Sequence, residues 1–244
     1  MGLPLKKTAD PRAVPGHYAR DDTGETKMGP IELNGLTDAA EPFQTWILPA
    51  LLGLGLASAT GLRTFLPLLM LSLAAHFGLF GIELNDRMAW LADWPAIAAL
   101  GTAAVVEFTG DKIPVVDHGL NVLGAFTRPV AGAVAAGSVF AGVDPTTAAI
   151  AGVIVGAPAA MAFNAAQGGA RLTSTATTGG IGNPVLSLIE DLLSFLMVVL
   201  AFLAPVLVPV LMIVLAVLLF RLANRIRRRS EGTVTGSKAR EGRA

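Results

Sequence analysis

WILPALLGLGLASATGLRTFLPLLMLSLAAHFGLF, residues 46–80, holds one full charge, Arg63, and one histidine, His76. As helix it would extend about 52 Å at about 1.5 Å per residue, against a bilayer hydrocarbon core of about 30 Å. One straight span does not fit. Gly61 before Arg63 and Pro67 after it predict a break, giving either two short helices or one span with a continuing segment.

The rest of the chain has the same character. Of its 244 residues 53% are hydrophobic and 15% charged, and the mean hydropathy is +0.62; a soluble domain carries about 25% charged residues. Lysine plus arginine equals aspartate plus glutamate at 18 each, which excludes nucleic-acid binding driven by net positive charge. The balance is uneven, because residues 221–244 hold 8 basic and 2 acidic side chains while 46–220 hold 5 and 9. With no cysteine there is no disulfide, thiolate nucleophile or cysteine-ligated metal.

Outward from the opening stretch, residues 1–45 carry scattered charges and five prolines without sustained apolar periodicity, and read as a disordered polar tail. The transmembrane domain is predicted over 46–223 and a basic disordered tail over 224–244. Met88–Phe108 makes a second span, with Trp90 and Trp94 at one end as an interfacial belt. Residues 109–128 are the most polar interior stretch. Val116, Leu120, Leu123 and Phe126 at helical spacing predict a short amphipathic helix that lies at the interface or re-enters the membrane. Pro129–Gly142 follows as a short segment, and Thr146–Gly168 as another apolar one. In the latter Ala148, Gly152, Gly156 and Ala160 recur every four residues, continued by Asn164 and Gly168, a stripe that lets helix backbones approach closely. Residues 169–183 read as a polar linker, and Asn183-Pro184 as the cap and first position of the last hydrophobic region. From Leu192 to Phe220 the only polar side chain is Ser194, and Pro205 and Pro209 make this either a kinked helix or a tight hairpin. The arginines that follow, 221, 225 and 227–229, place the C-terminus in the cytoplasm.

Charges inside apolar surroundings are the candidate site. Arg63 needs protein or water around it and an acidic partner. Its role is either an ion pair between helices or a clamp for an anion. Glu107, Asp111 and Lys112 read either as an exposed interfacial turn or, with Asp117, as a carboxylate cluster for protons or a hard cation. Glu190 and Asp191 lie beyond the first turn of their helix, between Leu188-Ile189 and Leu192-Leu193, and need partners among Arg63, Arg128 and Arg171. Arg128, at a predicted helix start, needs a compensating acid. There is no HExxH, Walker A loop or GxSxG, so no catalytic residues, metal ligands or cofactors are assigned and the reading leans away from an enzyme.

GLGLASATGLRTFLPLLML at 53–71, EFTGDKIPVVD at 107–117, RPVAGA at 128–133 and NPVLSLIEDLL at 183–193 together resemble the bacterial integral-membrane family catalogued as domain of unknown function 4126, over about residues 47–220. The resemblance points at Arg63, Asp111, Lys112, Pro114, Asp117, Arg128, Pro129, Glu190 and Asp191, and supplies no reaction or ligand.

The sequence therefore predicts an all-α polytopic transmembrane bundle of five or six membrane segments, with a broken first helix and re-entrant or interfacial segments. Its place is the cytoplasmic membrane and its partners are the lipid bilayer and a further copy or another membrane protein, not nucleic acid. Two functions follow. One is a passive or proton-coupled pathway for a small solute or ion, using Arg63, Glu107, Asp111, Lys112, Asp117, Arg128, Glu190 and Asp191. The other is a scaffold without transport, holding a membrane protein or lipid through its glycine stripes, Gly152 and Gly156 among them, and its basic tail.

Overall fold

The computed structural model describes residues 41–110, 114–214, 217 and 221, with backbone alone for 114–118 and 120–122. Residues 1–40, most of the expected N-terminal tail, and the basic tail from 224 lie outside the described residues. From Phe43 the chain forms one unit built of helices, with no strand among the described residues. A π-helical turn, Phe43–Ile47, leads into α1 (Leu48–Leu62), so helix begins before the expected boundary at residue 46. There follow α2 (Phe65–His76), two 3-10 turns (Leu79–Gly81 and Asp86–Ala92), α3 (Trp94–Gly110), α4 (Pro114–Ser138), α5 (Pro145–Thr178), α6 (Asn183–Leu203) and α7 (Pro205–Val214).

The break near Arg63 reverses the chain. Arg63 is extended (φ −134, ψ 118) and its N–H donates to Ala59 O, closing α1, and α2 begins two residues later. At the start of α1, Trp46 packs against Phe140, with ring centroids 6.3 Å apart. Beyond α2 the chain is back at that level. The Asn85 N–H donates to Ser138 O at 2.7 Å and Asn85 Nδ2 to Phe140 O at 2.9 Å. Arg63 and Thr64 are therefore the tip of an antiparallel helical hairpin. On the return, Phe80 takes a left-handed conformation (φ 58) and stacks on Phe202 with centroids 5.5 Å apart.

α3 comes back alongside α2, from His76 Nδ1 against Ala92 O (2.7 Å) at one end to Glu107 beside Thr64 at the other. α4 and α5 are antiparallel partners through small residues. A β-carbon on Gly156 would press into the Gly132 carbonyl oxygen and one on Gly152 into that of Ala133. Apolar side chains gain little from leaving lipid, so this close backbone approach and its dispersion contacts are what association draws on. Two sequence boundaries are corrected here. α4 runs unbroken through Pro129, joining what read as an amphipathic helix and a separate short segment; the proline removes one backbone bond without ending the helix. α5 continues through the expected linker to Thr178, where Gly179 (φ 63) stops it. Its start is capped by Asp144, whose carboxylate accepts from the N–H groups of Thr146 and Thr147.

α6 opens with Gly182 in the capping position. Asn183 does not cap; its Nδ2 donates to Thr175 Oγ1 at 3.1 Å. Descending along α1, α6 places Ser194 Oγ on Ala59 O (3.1 Å) and Ala201 against Gly55. Ala204 (φ −151, ψ 68) breaks the helix. Val208 then meets Gly55 again and Met212 lies 3.6 Å from Ser58 Oγ, so α7 climbs back along α1 and the Pro205 break is a hairpin. The central core is Leu56, Leu68, Leu71, Met197 and Val198 with Ala59, Ala131 and Ala135.

Phe43–Leu62, Pro145–Thr178 and Asn183–Leu203 are long and apolar enough to cross a membrane; a fourth candidate is Asp86–Ala92 with Trp94–Gly110, bent by 65°. The protein is thus membrane-embedded by composition and helix length, with three or four candidate spans among the described residues where the sequence led to five or six. All three tryptophans, Trp46, Trp90 and Trp94, are exposed and sit at the end opposite Arg63, as an interfacial belt would. Counted along α1 and α6, the hairpin tip lies about 18–26 Å from that end, within a hydrocarbon core of about 30 Å.

Candidate functional site

Two residues of irregular backbone between apolar helices impose the first requirement on the site. Such backbone is tolerated only where its polar groups are satisfied by protein. The first N–H groups of α2 have no helical acceptor, and Glu107 of α3 supplies one: its Oε1 accepts from Thr64 N at 2.9 Å and its Oε2 from Phe65 N at 3.1 Å. A carboxylate there also faces the positive end of α2. At the other side of the tip, Arg128 of α4 donates to Gly61 O at 3.3 Å, a cation at the negative end of α1. Glu107 and Arg128 are both buried. Glu107 is thus no part of an exposed interfacial turn, because its charge serves the tip. Asp111 and Lys112 lie outside the described residues, as does the Asp117 side chain, and with them the expected carboxylate cluster.

Arg128 lies inside α4, not at a helix start, and reaches the acid expected to compensate it through an amide. Nη1 donates to Gly61 O, to Asn164 Oδ1 at 2.5 Å and to Gln167 Oε1. Gln167 passes the interaction on, its Nε2 donating to Glu190 Oε2 at 2.6 Å. Arg171 completes the set with Nε on Glu190 Oε1 (3.1 Å) and Nη2 on Oε2 (2.6 Å), the fork geometry suited to a carboxylate. Glu190 is thus enclosed by one guanidinium and one amide, with 5% of its side chain accessible.

Asp191, one residue on, forms an ion pair with Arg63 Nε. Arg63 Nη2 also donates to Ser187 Oγ at 2.7 Å and Ser187 O at 3.1 Å, fastening the tip to the first turns of α6. The Asp191 side chain is 18% accessible against 3% for Arg63. What it opens onto is a cavity of about 560 Å³ between α2, α3 and α6, lined by Arg63, Glu107 and Asp191 and otherwise by Leu66, Ala104, Phe108, Leu188, Leu192 and Phe195.

The eight expected site residues therefore separate. Arg63, Glu107 and Asp191 meet at the cavity; Arg128 and Glu190 are joined through Gln167; Asp111, Lys112 and the Asp117 side chain are not described. Gly152 and Gly156 are used within the chain, against α4. Gln167 and Asn164 were not singled out as polar partners by sequence, although Asn164, Gln167 and Arg171 at intervals of three and four form one polar stripe on a largely apolar helix, which is the signal that marks them. Three arginines face three carboxylates, and the amides distribute the contact.

Residues 50–225 match the model of a family described as a domain of unknown function (DUF4126). No curated protein and no solved structure matches the chain.

Proposed function

The chain belongs to the domain of unknown function 4126 family, a membership that carries no reaction with it, and we propose that it forms a pathway for a small solute or ion centred on the Arg63–Asp191 pair. One observation carries this reading: an ion pair at membrane depth forms the wall of a cavity of about 560 Å³. Ionisable side chains within a membrane are costly and mark ion and proton routes where they face a cavity. Protonation of Asp191, or an anion taken up by Arg63, exchanges the partners of the pair at that wall. Glu107, Arg128, Arg171 and Glu190 then act as the frame that holds the hairpin tip in place.

The same reading orients the protein. α7 runs from the tryptophan end toward the Arg63 end, and the arginines at 221, 225 and 227–229 follow it. With those arginines in the cytoplasm, the tip lies in the cytoplasmic half of the bilayer and Phe43 starts on the other side. The scaffold reading loses one of its supports, since the Gly152–Gly156 stripe is already covered by α4.

The test uses the full chain in proteoliposomes, with proton, chloride and acetate flux followed separately. Asp191→Asn is expected to abolish or change flux while insertion is kept. Unaltered flux in Asp191→Asn refutes the pathway.

A further inference from the structure

The walls of the cavity specify more than a small ion. Six of its nine lining residues are apolar, and among the described residues its charges are one guanidinium and two carboxylates. One of those carboxylates, Glu107, is already matched by the N-terminal N–H groups of α2. The other is matched by Arg63. An ion that exchanges with one partner of the Arg63–Asp191 pair leaves a net charge there, a costly state that suits passage and not residence. A zwitterion does not: its anion takes the guanidinium, its cation takes the carboxylate, and the total is unchanged.

The position of the opening gives the source. α3 and α6 both pack on α2 but not side by side on each other. Phe108 on one edge and Leu188, Leu192 and Phe195 on the other are all exposed, at 47%, 61%, 58% and 46%. The gap between them lies at the depth of the acyl chains, because the tip is about 18–26 Å from the tryptophan belt by helix rise. A ligand that enters sideways there brings an apolar body along those side chains and only its head to Arg63 and Asp191.

We infer that the cavity between α2, α3 and α6 is a lateral binding site for a zwitterionic membrane phospholipid, with its phosphate on Arg63 and a primary ammonium on Asp191. This rests on the reading of the same cavity as the working site and names its occupant. A primary ammonium donates hydrogen bonds to a carboxylate and a trimethylammonium cannot, so phosphoethanolamine heads are favoured over phosphocholine, and both over the net-anionic phosphoglycerol.

The experiment reconstitutes the full chain in phosphatidylcholine vesicles doped with a lipid carrying a photoactivatable acyl chain and one of three heads: phosphoethanolamine, phosphocholine or phosphoglycerol. Crosslinks to the peptides holding Phe108 and Leu188–Phe195 are counted, and proton, chloride and acetate flux is measured in the same vesicles. The phosphoethanolamine probe is expected to label these peptides about tenfold more than the phosphocholine probe, the worth of one charge-assisted hydrogen bond. Asp191→Asn is expected to remove that preference, and Ala104→Trp, which fills the cavity, to remove labelling by all three. Arg63→Ala removes a buried cation from a pair and endangers folding, so the inference stands on the other two variants. Equal labelling by the three heads, or labelling indifferent to Ala104→Trp, overturns it. Equal labelling with Asp191-dependent flux overturns the lipid site and leaves the pathway standing. Phosphoethanolamine-selective labelling without flux supports the lipid site and refutes the pathway.

Discussion

Glu107 provides the sharpest test of how the hairpin tip is held. Its two carboxylate oxygens accept the Thr64 and Phe65 N–H groups at 2.9 and 3.1 Å, and the side chain is buried. Glu107→Ala orphans both donors at a depth where water does not replace the acceptor. At about 1–3 kcal/mol for each unsatisfied buried group and about 1 kcal/mol for the lost helix-dipole interaction, the loss is about 3–7 kcal/mol. Glu107→Gln keeps one acceptor and loses the charge at the α2 N-terminus. Its expected cost is about 2–4 kcal/mol, one orphaned donor plus about 1 kcal/mol of helix-dipole interaction. The order wild type, Gln, Ala is therefore set by geometry. Unfolding of the purified protein in mixed micelles, titrated with a denaturing detergent and followed by helical circular dichroism, gives the three stabilities. If Ala is as stable as wild type, or Gln is less stable than Ala, the carboxylate does not cap α2 and the account of the tip fails.

Three further outcomes follow from other parts of the fold. Gly156→Ala drives a methyl group into the backbone of α4 at Gly132 and is expected to cost at least about 1–3 kcal/mol. Gly168→Ala, on the same helix with nothing within 4 Å of the added atom, should be neutral or stabilising by up to about 1 kcal/mol; equal stability of the two in micelle unfolding refutes the α4–α5 packing. Asn85 ties the return loop to the end of α4 through Phe140 O and Val143 O at 2.9 and 2.8 Å. Asn85→Ala leaves those carbonyls short of a donor and is expected to cost about 1–3 kcal/mol and to speed proteolysis within 77–93; unchanged cleavage would refute it. Asp144 is held below its ordinary value of about 3.9 by hydrogen bonds from Thr147 first and Thr146 next. Its stabilisation of the α5 start is complete above that value and lost as pH falls through the lower folded value. Asp144→Asn should flatten the pH dependence of α5 opening by hydrogen exchange below about pH 4, and an unaltered acid profile would remove the capping role.

Helical class and the apolar stretches were legible because apolar residues dominate every long segment, and the break at Arg63 because Gly61 and Pro67 flank a charge. That the break is a reversal was not legible. Local sequence marks where a helix stops, while direction is decided by which surfaces pair, here α2 on α6 and Asn85 on the end of α4. Pro129 misled for a related reason: it forfeits a backbone bond but does not oblige a membrane helix to end, and packing of Gly132 against α5 carries α4 through. The span from 169 to 183 read as linker because threonine, serine and glycine have low intrinsic propensity. In α5 the Thr173, Thr177 and Thr178 hydroxyls find acceptors within the helix, on carbonyls four residues back, and so ask for no partner outside it. Of the site, the charges were visible but not their pairing. Glu190 and Asp191 are neighbours in sequence, about 100° apart around α6, and nothing local says which arginine meets which acid.

The pairing in turn separates what the fold requires from what it does not. A helical hairpin ending inside a membrane needs an acceptor at the start of its second helix and benefits from a cation at the end of its first. Glu107 and Arg128 meet those needs. The charge of Arg128 calls for a nearby anion in turn, and Glu190, reached through Gln167 and closed by Arg171, provides it without leaving a gap. Each of these four charges has a structural reason. Arg63 also fastens the tip to α6 through Ser187, but its pairing with Asp191 is not what the tip needs. The end of α1 is already served by Arg128, and two apolar side chains of similar size would bridge the tip to α6 without a desolvation cost. Instead an ion pair stands at the edge of unfilled volume whose other walls are leucine, phenylalanine and alanine. A buried pair forfeits hydration. Placing that loss at the edge of a cavity is what structural need alone does not require, and it is the physical reason for centring the proposed pathway on Arg63 and Asp191 and not on the more heavily hydrogen-bonded Glu190.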